Sequence, residues 1–215
     1  MTRPFDLRLY LITDRDLAAG RFLEDVVAAA VRGGVTAVQL REKRLATAAF
    51  IETAVRLKSL LAPSRVPLLI NDRVDVALAS GADGVHLGQS DAPPEEARRI
   101  LGPDAIIGLS VENPAQAVAA ANRGADYLGV GPIFPTPTKG DAGPAWGPEG
   151  LRCLRAATAL PLAAIGGLNA ANAAAVLAAG ADGLAVVSAI MAASDPEAAA
   201  RELRRIIDAF QLQNK

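Results

Sequence analysis

The chain has 215 residues, 51% of them apolar and 21% charged, so it can form one sizeable hydrophobic core and does not have the composition of a disordered protein. Its formal net charge of -1 and its pI near 5.9 exclude the strongly basic surface that nucleic acids and anionic membranes require of a partner. We therefore expect one domain over residues 1–215, with small-molecule ligands and no nucleic-acid or membrane partner.

Two features of the sequence bear on the compartment. The N-terminal stretch "MTRPFDLRLY" lacks a long apolar run, and Cys153 is the single cysteine, which excludes an intramolecular disulfide. Both are typical of a reducing compartment, so we expect a cytoplasmic protein. Residues 159–193 are the most apolar stretch, but Asn, Asp and Gly residues interrupt it, which favours strand, helix and strand over a membrane span. The oligomeric state stays open, and a homo-oligomer is compatible with the sequence.

Eight short apolar runs recur along the chain and are typical of strands. In chain order they cover residues 7–14, 37–42, 67–72, 84–89, 106–111, 127–133, 161–167 and 183–190. Ala-rich segments separate them, and Asn113-Pro114, Asn169 and Asp195-Pro196 are expected to begin helices. Strand and helix are therefore predicted to alternate along the whole chain.

A degenerate repeat supports the same unit. Gly-Ala-Asp occurs at 81–83, 124–126 and 180–182, each time where a helix is predicted to end and a strand to begin, and Gly33-Gly34 is a looser copy. Eight parallel strands with right-handed helical crossovers predict a single α/β domain of the (β/α)8 TIM barrel type. A doubly wound open sheet is the alternative, because periodicity does not prove closure.

In a TIM barrel the reactive groups lie just after the C-terminal ends of the strands. Polar or glycine residues follow seven consecutive predicted strands. They are Arg41 and Lys43, then Asn71 and Asp72, then Gln89 and Asp91, then Ser110, then Thr136, Thr138 and Lys139, then Gly166 and Gly167, and finally Ser188. We therefore expect one ligand-binding mouth.

The charges at this mouth suggest its ligand. Asp72 and Asp91 follow adjacent strands, where two carboxylates can share Mg2+ with water and phosphate oxygens. A carboxylate pair also suits acid–base catalysis, and each Asp could instead cap a helix. The cations Arg41, Lys43 and Lys139 favour a metal-bound polyphosphate, although the first two could also form a solvated face.

A second anion site is predicted beside the first. The segment "GPIFPTPTKG", residues 131–140, places two threonines and a lysine among prolines, which is the chemistry of an anion site. Gly166-Gly167 and Val187-Ser188 offer backbone N–H groups after strands seven and eight, although the glycine pair could be a plain tight turn. Two phosphate-bearing ligands are therefore expected.

Two other residues carry weaker functional signals. His86, the single histidine, lies within a predicted strand and is expected to be packed or hydrogen-bonded rather than catalytic. Ser110 in "GLSVE" lacks the final glycine of a nucleophile elbow, which argues against a hydrolase.

Six motifs in order resemble those of the thiamine phosphate synthase family. They are "VQLREK" (38–43), "NDRVDVALASGADGVHLGQSD" (71–91), "IGLS" (107–110), "GVGPIFPTPTK" (129–139), "IGG" (165–167) and "VVSAI" (186–190). The resemblance extends over nearly the whole chain. It implies a transferase that joins 4-amino-2-methyl-5-(hydroxymethyl)pyrimidine diphosphate to a thiazole monophosphate, releasing pyrophosphate and giving thiamine phosphate.

The resemblance also implies roles for individual residues. Those expected to contact the pyrimidine diphosphate are Gln39, Leu40, Arg41, Glu42, Lys43, Asn71, Ser110 and Lys139, among which Lys139, Ser110, Arg41 and Lys43 are the expected catalytic residues. Those expected at the thiazole phosphate are Thr136, Pro137, Thr138, Gly167, Val187 and Ser188. Asp72 and Asp91 are expected to hold Mg2+.

Two alternatives share the predicted fold. One is a thiazole tautomerase, which would keep the thiazole phosphate site without transferase activity. The cations, the two carboxylates and Asn71 argue against it, because an isomerase has no diphosphate to hold. The other is a noncatalytic barrel that senses phosphorylated ligands.

Overall fold

The computed structural model describes residues 5–138 and 143–213. The strands are β1 (Leu9–Ile12), β2 (Ala37–Leu40), β3 (Leu68–Asn71), β4 (Gly84–Leu87), β5 (Ile106–Val111), β6 (Tyr127–Val130), β7 (Leu162–Ile165) and β8 (Gly183–Val186). The helices are α1 (Leu23–Arg32), α2 (Thr47–Leu61), α3 (Val74–Ser80), α4 (Pro94–Leu101), α5 (Pro114–Asn122), α6 (Gly147–Ala157), α7 (Ala173–Ala178), α8 (Ser188–Met191) and α9 (Pro196–Gln213).

The eight strands form a closed parallel barrel in chain order. Each strand pairs with the next one along the chain, and β8 pairs with β1 through Leu184 and Leu9. Closure confirms the predicted (β/α)8 TIM barrel and excludes the doubly wound sheet. In the described part of the chain, no helix combines the length and apolarity that crossing a bilayer requires.

Some helix boundaries follow the sequence signals and others do not. Asn113 caps α5, because its Oδ1 accepts a hydrogen bond from the Gln116 N–H at 2.9 Å. Asn169, predicted to begin a helix, caps the turn that leads into α7: its side chain accepts from the Ala171 N–H at 2.9 Å and its carbonyl accepts from the Ala173 N–H at 3.0 Å. The regular helix begins at Ala173. Ser188, predicted within the eighth strand run, is the first residue of the short helix α8.

The barrel strands separate two apolar cores. On β1, Leu9 and Leu11 face the surrounding helices and belong to the larger core, whereas Tyr10 and Ile12 face the barrel interior. The interior core is small, and the two tyrosines Tyr10 and Tyr127 are its largest side chains. Alternation along each strand therefore decides which residues line the interior and can point toward the mouth.

The Gly-Ala-Asp repeat has one structural role at each of its three occurrences. Each aspartate accepts a hydrogen bond from the N–H of the first or second residue of an odd-numbered strand and binds a basic side chain of the helix before that strand. The sets are Asp83 with Leu68 and Lys58, Asp126 with Ile107 and Arg98, and Asp182 with Leu162 and Arg155. Thr36, after the looser glycine copy, accepts from the Leu9 N–H at 3.0 Å. The repeat therefore anchors the N-terminal ends of β1, β3, β5 and β7.

Asp126 provides a stability test of this anchoring. Its side chain is only 8% exposed, and its Oδ2 lies 2.7 Å from both the Ile107 N and Arg98 Nη2. Asp126→Ala should lower the free energy of unfolding by about 2 kcal/mol, because it leaves the Ile107 N–H without its acceptor and removes the carboxylate that pairs with Arg98. Denaturant unfolding measures this loss. Glu95→Ala, which removes the exposed partner of Arg123, is the control and should change stability much less. Equal losses in both variants would contradict the anchoring role.

Candidate functional site

A cavity of about 710 Å3 opens at the C-terminal ends of the strands. Most of the site residues predicted from the sequence line it. They are Gln39, Arg41, Lys43, Asn71, Asp72, Ser110, Thr136, Thr138, Gly167, Val187 and Ser188. Asp91 adjoins the cavity, since its Oδ2 accepts a hydrogen bond at 2.6 Å from the N–H of Gly88, which is a lining residue. The folded chain therefore brings residues from seven strand ends to one mouth.

Besides Asp91, three predicted residues in the described part of the chain are not among those that line the cavity. Leu40 is fully buried in the core between strands and helices. The Glu42 carboxylate is 6% exposed and lies 2.7 Å from Arg15 Nη2, so both Leu40 and Glu42 retain only backbone groups for a ligand. Pro137 is exposed. Lys139 lies outside the described residues.

A second cavity, of about 650 Å3, opens at the opposite end of the barrel. Its lining includes the ion pair between Lys58 and Asp83, joined at 2.6 Å, and none of the predicted site residues. Because Asp83 there anchors the start of β3, this end of the barrel serves stability, as is general for the fold.

The two candidate metal ligands are neighbours, and neither caps a helix. Lys43 Nζ lies 2.9 Å from Asp72 Oδ2, and Asp72 adopts a φ of 64°, a backbone conformation that is uncommon for a residue other than glycine. The N-cap positions of α3 and α4 are taken by Arg73 and Pro93. The helix-cap interpretation is therefore wrong for both aspartates.

Charge crowding affects Asp91. Burial raises the pKa of its carboxyl above the ordinary value of 3.8, and the neighbouring Asp72 carboxylate raises it further. The Gly88 N–H and the Lys43 ammonium act in the opposite direction without cancelling the shift. Two carboxylates held together in this way are suited to share a cation, because a bound positive charge relieves their repulsion.

The loop after β2 is fastened to the loop after β1. The Arg41 backbone N–H donates to Thr13 Oγ1 at 3.0 Å, and its guanidinium lies 3.6 Å from Asp14 Oδ2. Only 22% of the Arg41 side chain is exposed, so Arg41 does not belong to a solvated face. It therefore presents a partly desolvated positive charge at the mouth.

The loops after β6 and β7 are joined by backbone hydrogen bonds. Ile133 N–H donates to Ile165 O at 2.8 Å, and Phe134 N–H donates to Gly166 O at 3.0 Å. A Cβ on Gly167 would lie 2.8 Å from the Phe134 Cβ, so a side chain there would force the two loops apart. The glycine pair is thus a packing requirement as well as a turn, and it holds the segment carrying Thr136 and Thr138 over the cavity.

A chain of hydrogen bonds crosses the barrel interior beneath the mouth. Gln39 Nε2 donates to Tyr10 Oη at 2.7 Å, and Tyr10 Oη lies 2.9 Å from Tyr127 Oη. His86 Nδ1 lies 2.8 Å from Tyr127 Oη, and its Nε2 lies 2.9 Å from Ser110 Oγ. The expectation that His86 is hydrogen-bonded is confirmed.

Tyr10 and Tyr127, the two tyrosines in this series of hydrogen bonds, were not predicted as site residues. The available signal was glycine in neighbouring strands, since interior strand glycines often mark the close approach of a large group. A Cβ on Gly108 would lie 2.2 Å from Tyr127 Cζ, and one on Gly129 would lie 2.8 Å from His86 Cε1. Both glycines therefore give room to Tyr127 and His86.

The raised pKa of Asp91 makes a prediction about stability and pH. Well below its ordinary pKa of 3.8 the carboxyl is protonated in both folded and unfolded chains, and its ionisation at higher pH is less favourable in the folded chain. Without divalent cations, Asp91→Asn should therefore raise the melting temperature relative to wild type increasingly as the pH rises from 4 to 7. Differential scanning calorimetry measures both proteins, with the exposed Asp104→Asn as control. A difference in melting temperature that stays constant across this pH range would contradict the proposed unfavourable ionisation of Asp91 in the folded chain.

Taken together, the fold and the mouth define a TIM-barrel protein of the class that binds phosphorylated small molecules. The family described as thiamine monophosphate synthase matches residues 9–190, and the chain belongs to this family. The thiamine-phosphate synthase of Albidiferax ferrireducens is 62% identical over 203 residues, which cover 94% of this chain and 93% of that protein. The thiamine-phosphate synthase of Xanthobacter autotrophicus is 58% identical over 96% of this chain and 98% of that protein.

A solved structure agrees with these sequence relatives. The thiamine phosphate pyrophosphorylase from Pyrococcus furiosus superposes with a TM-score of 0.87 at 43% identity, covering 95% of this chain and 97% of that chain. The predicted family is therefore confirmed.

Proposed function

We propose that the protein is a transferase that joins the aminopyrimidine methyl group of a pyrimidine diphosphate to a thiazole monophosphate, giving thiamine phosphate and pyrophosphate. The observation that carries the proposal is one cavity lined on one side by Arg41, Lys43 and Asp72 and on another by Thr136 and Ser188, in a member of this family. Two separate sets of anion-binding groups suit two phosphorylated substrates.

The diphosphate is assigned to the side formed by the ends of β2 to β5. Arg41 and Lys43 supply positive charge there, and Asn71 and Ser110 supply uncharged polar groups. Gln39, also a lining residue, has its amide nitrogen committed to Tyr10, which favours its carbonyl oxygen as the group offered to the pyrimidine. Charge-assisted contacts of this kind are the strong hydrogen bonds of a phosphate site.

The carboxylates of Asp72 and Asp91 fit Mg2+. Both oxygen donors are hard, they neighbour each other, and the raised pKa of Asp91 reflects negative charge that a cation would compensate. Two carboxylates are a typical protein contribution to a magnesium site, where water and substrate phosphate oxygens complete the coordination. When bound, Mg2+ supplies positive charge to the diphosphate.

The thiazole phosphate is assigned to the other side. Thr136 and Thr138 offer hydroxyl groups, Ser188 offers a hydroxyl at the start of α8, and Gly167 and Val187 offer backbone N–H groups. The joined loops after β6 and β7 hold these groups on a fixed frame. This is the usual location of a phosphate in a TIM barrel.

The chemistry assigned to the site is a dissociative substitution, in which the bond to the leaving group breaks before the new bond forms. The C–O bond to the diphosphate breaks, its electron pair leaves with pyrophosphate, and the electron-rich aminopyrimidine carries the positive charge left on the methylene carbon. The lone pair of the thiazole nitrogen then forms the new C–N bond. Arg41 and Lys43 stabilise the growing charge on pyrophosphate, and no side-chain nucleophile or strong base is needed.

Incubating the purified protein with both substrates and Mg2+ tests the function directly. Mass spectrometry should detect thiamine phosphate, and a pyrophosphate assay should detect an equal amount of pyrophosphate. Asp72→Asn and Asp91→Asn should remain folded and lose turnover. Binding of both substrates without product would instead indicate a sensor, and conversion of a thiazole tautomer alone would indicate a tautomerase.

The two-sided arrangement predicts a separation of Michaelis constants. Ser188→Ala should raise KM for the thiazole phosphate roughly tenfold and leave KM for the diphosphate nearly unchanged, because one hydrogen bond to a charged group is lost. Lys43→Ala should do the reverse. Steady-state kinetics with each substrate varied in turn measures both constants.

Each of these variants has a matched control outside the cavity. Ser59→Ala lies on the exposed face of α2, and Arg44→Ala removes a side chain that is 85% exposed beside Lys43. Both controls should keep wild-type constants. If Ser188→Ala and Lys43→Ala each affected both substrates equally, the assignment of two separate sides would be wrong.

Lys139 follows Thr138 in the chain, and its role rests on the family resemblance. We expect its charge to matter more as the C–O bond breaks than when the diphosphate binds. Lys139→Ala should cost about 2–4 kcal/mol of transition-state stabilisation, the usual scale for one preorganised electrostatic contact. Lys139→Arg should recover only part of the rate. Single-turnover measurement with both substrates saturating decides, since weakened binding at an unchanged chemical rate would make Lys139 a binding residue only.

A further inference from the structure

The hydrogen-bond chain beneath the mouth has a direction that can be derived from its donors and acceptors. Tyr10 makes two hydrogen bonds within the described part of the chain, one with Gln39 and one with Tyr127. Because its oxygen accepts from the Gln39 amide, the Tyr10 proton finds an acceptor only on Tyr127. The Tyr127 proton is then donated to His86 Nδ1.

The two tyrosines keep the protons on which this count depends. Both are buried, with 1% and 0% exposure, and burial raises the pKa of each hydroxyl well above its ordinary value. Each phenol therefore keeps one proton to donate at neutral pH.

The direction of these hydrogen bonds determines the tautomer of the His86 imidazole. With Nδ1 accepting from Tyr127, the neutral ring carries its hydrogen on Nε2 and donates it to Ser110 Oγ at 2.9 Å. Ser110 then has its own proton available for a partner, and its side chain lines the cavity.

We propose that His86 is a positioning residue, held as the Nε2–H tautomer by Tyr127 and Tyr10, and that it makes the Ser110 hydroxyl a hydrogen-bond donor to an acceptor atom of the pyrimidine diphosphate. The opposite tautomer would turn Ser110 into a donor toward His86 and remove that donor from the ligand. The identity of the ligand rests on the proposed function, whereas the tautomer does not.

Geometry shows how tightly the ring is held. Gly108 and Gly129 lie on the two strands that follow His86 in the barrel, and a Cβ on Gly108 would approach His86 Nδ1 to 2.5 Å. The Tyr127 ring also lies beside the imidazole, with 5.5 Å between ring centroids. The imidazole is thus confined by packing as well as by hydrogen bonds, which suits a group that sets the orientation of another.

Because His86 is the single histidine, 15N-labelled protein reports its tautomer without assignment ambiguity. Long-range 1H–15N correlation spectra of the substrate-free wild type should show hydrogen on Nε2 and an unprotonated Nδ1. Tyr127→Phe removes the donor to Nδ1 and should replace the single tautomer by a mixture. The control Phe5→Leu alters a ring that packs against Tyr127, at 5.4 Å between centroids, and should keep the wild-type pattern.

A double-mutant cycle tests the consequence for catalysis. Tyr127→Phe should lower kcat/KM for the pyrimidine diphosphate roughly tenfold and leave KM for the thiazole phosphate unchanged. In a Ser110→Ala background the same substitution should have almost no further effect, because it acts through Ser110. Additive losses in the cycle would mean that Tyr127 has a merely structural role.

The spectra test the tautomer of His86, and the kinetics test the reaction, so either result can be negative without the other. A wild-type spectrum with hydrogen on Nδ1, or an unchanged tautomer in Tyr127→Phe, would overturn the positioning role whatever reaction the protein catalyses. The wild-type spectrum needs no variant, so it remains decisive even if Tyr127→Phe did not fold. The expected tautomer in a protein that forms no thiamine phosphate would refute the proposed function alone.

Discussion

Space inside the closed barrel is the constraint on which the rest of the structure depends. Tyr10 and Tyr127 are buried in the narrow interior, and Tyr127 fits there only because Gly108 on a neighbouring strand has no side chain. These rings and the hydrogen bonds between them lie beneath the mouth. Ligand-binding groups must therefore project above this layer, where the strands end and the loops begin.

The two ends of the barrel divide stability and function between them. At the strand starts, Asp83, Asp126 and Asp182 accept from backbone N–H groups of the strands, and each of these three carboxylates also has a basic partner. At the mouth, Asp91 is held beside a like charge, and Asp72 occupies an uncommon backbone conformation. Unfavourable arrangements of this kind persist where a ligand compensates them, which is why they mark the functional end.

The sequence predicted the fold and the mouth because both follow from local patterns. Apolar runs define strands, and closure brings their ends together, so Lys43, Asp72 and Ser110 meet as expected. The direction of a side chain depends on packing instead. Glu42 turns to Arg15, and the pairing of Tyr127 with His86 requires three-dimensional register that no local pattern contains. Asn169 was predicted at the start of α7 and lies one turn before its first residue, Ala173, whose N–H donates to the Asn169 carbonyl.

Calorimetric titration of inorganic pyrophosphate decides whether the cations and paired carboxylates of the mouth hold a metal-bound diphosphate. Wild-type protein should bind pyrophosphate much more tightly with Mg2+ than without it. Asp72→Asn should lose most of this Mg2+ dependence while remaining folded. Equal affinity for pyrophosphate with and without Mg2+ in the wild type would mean that the carboxylates hold no metal for the diphosphate.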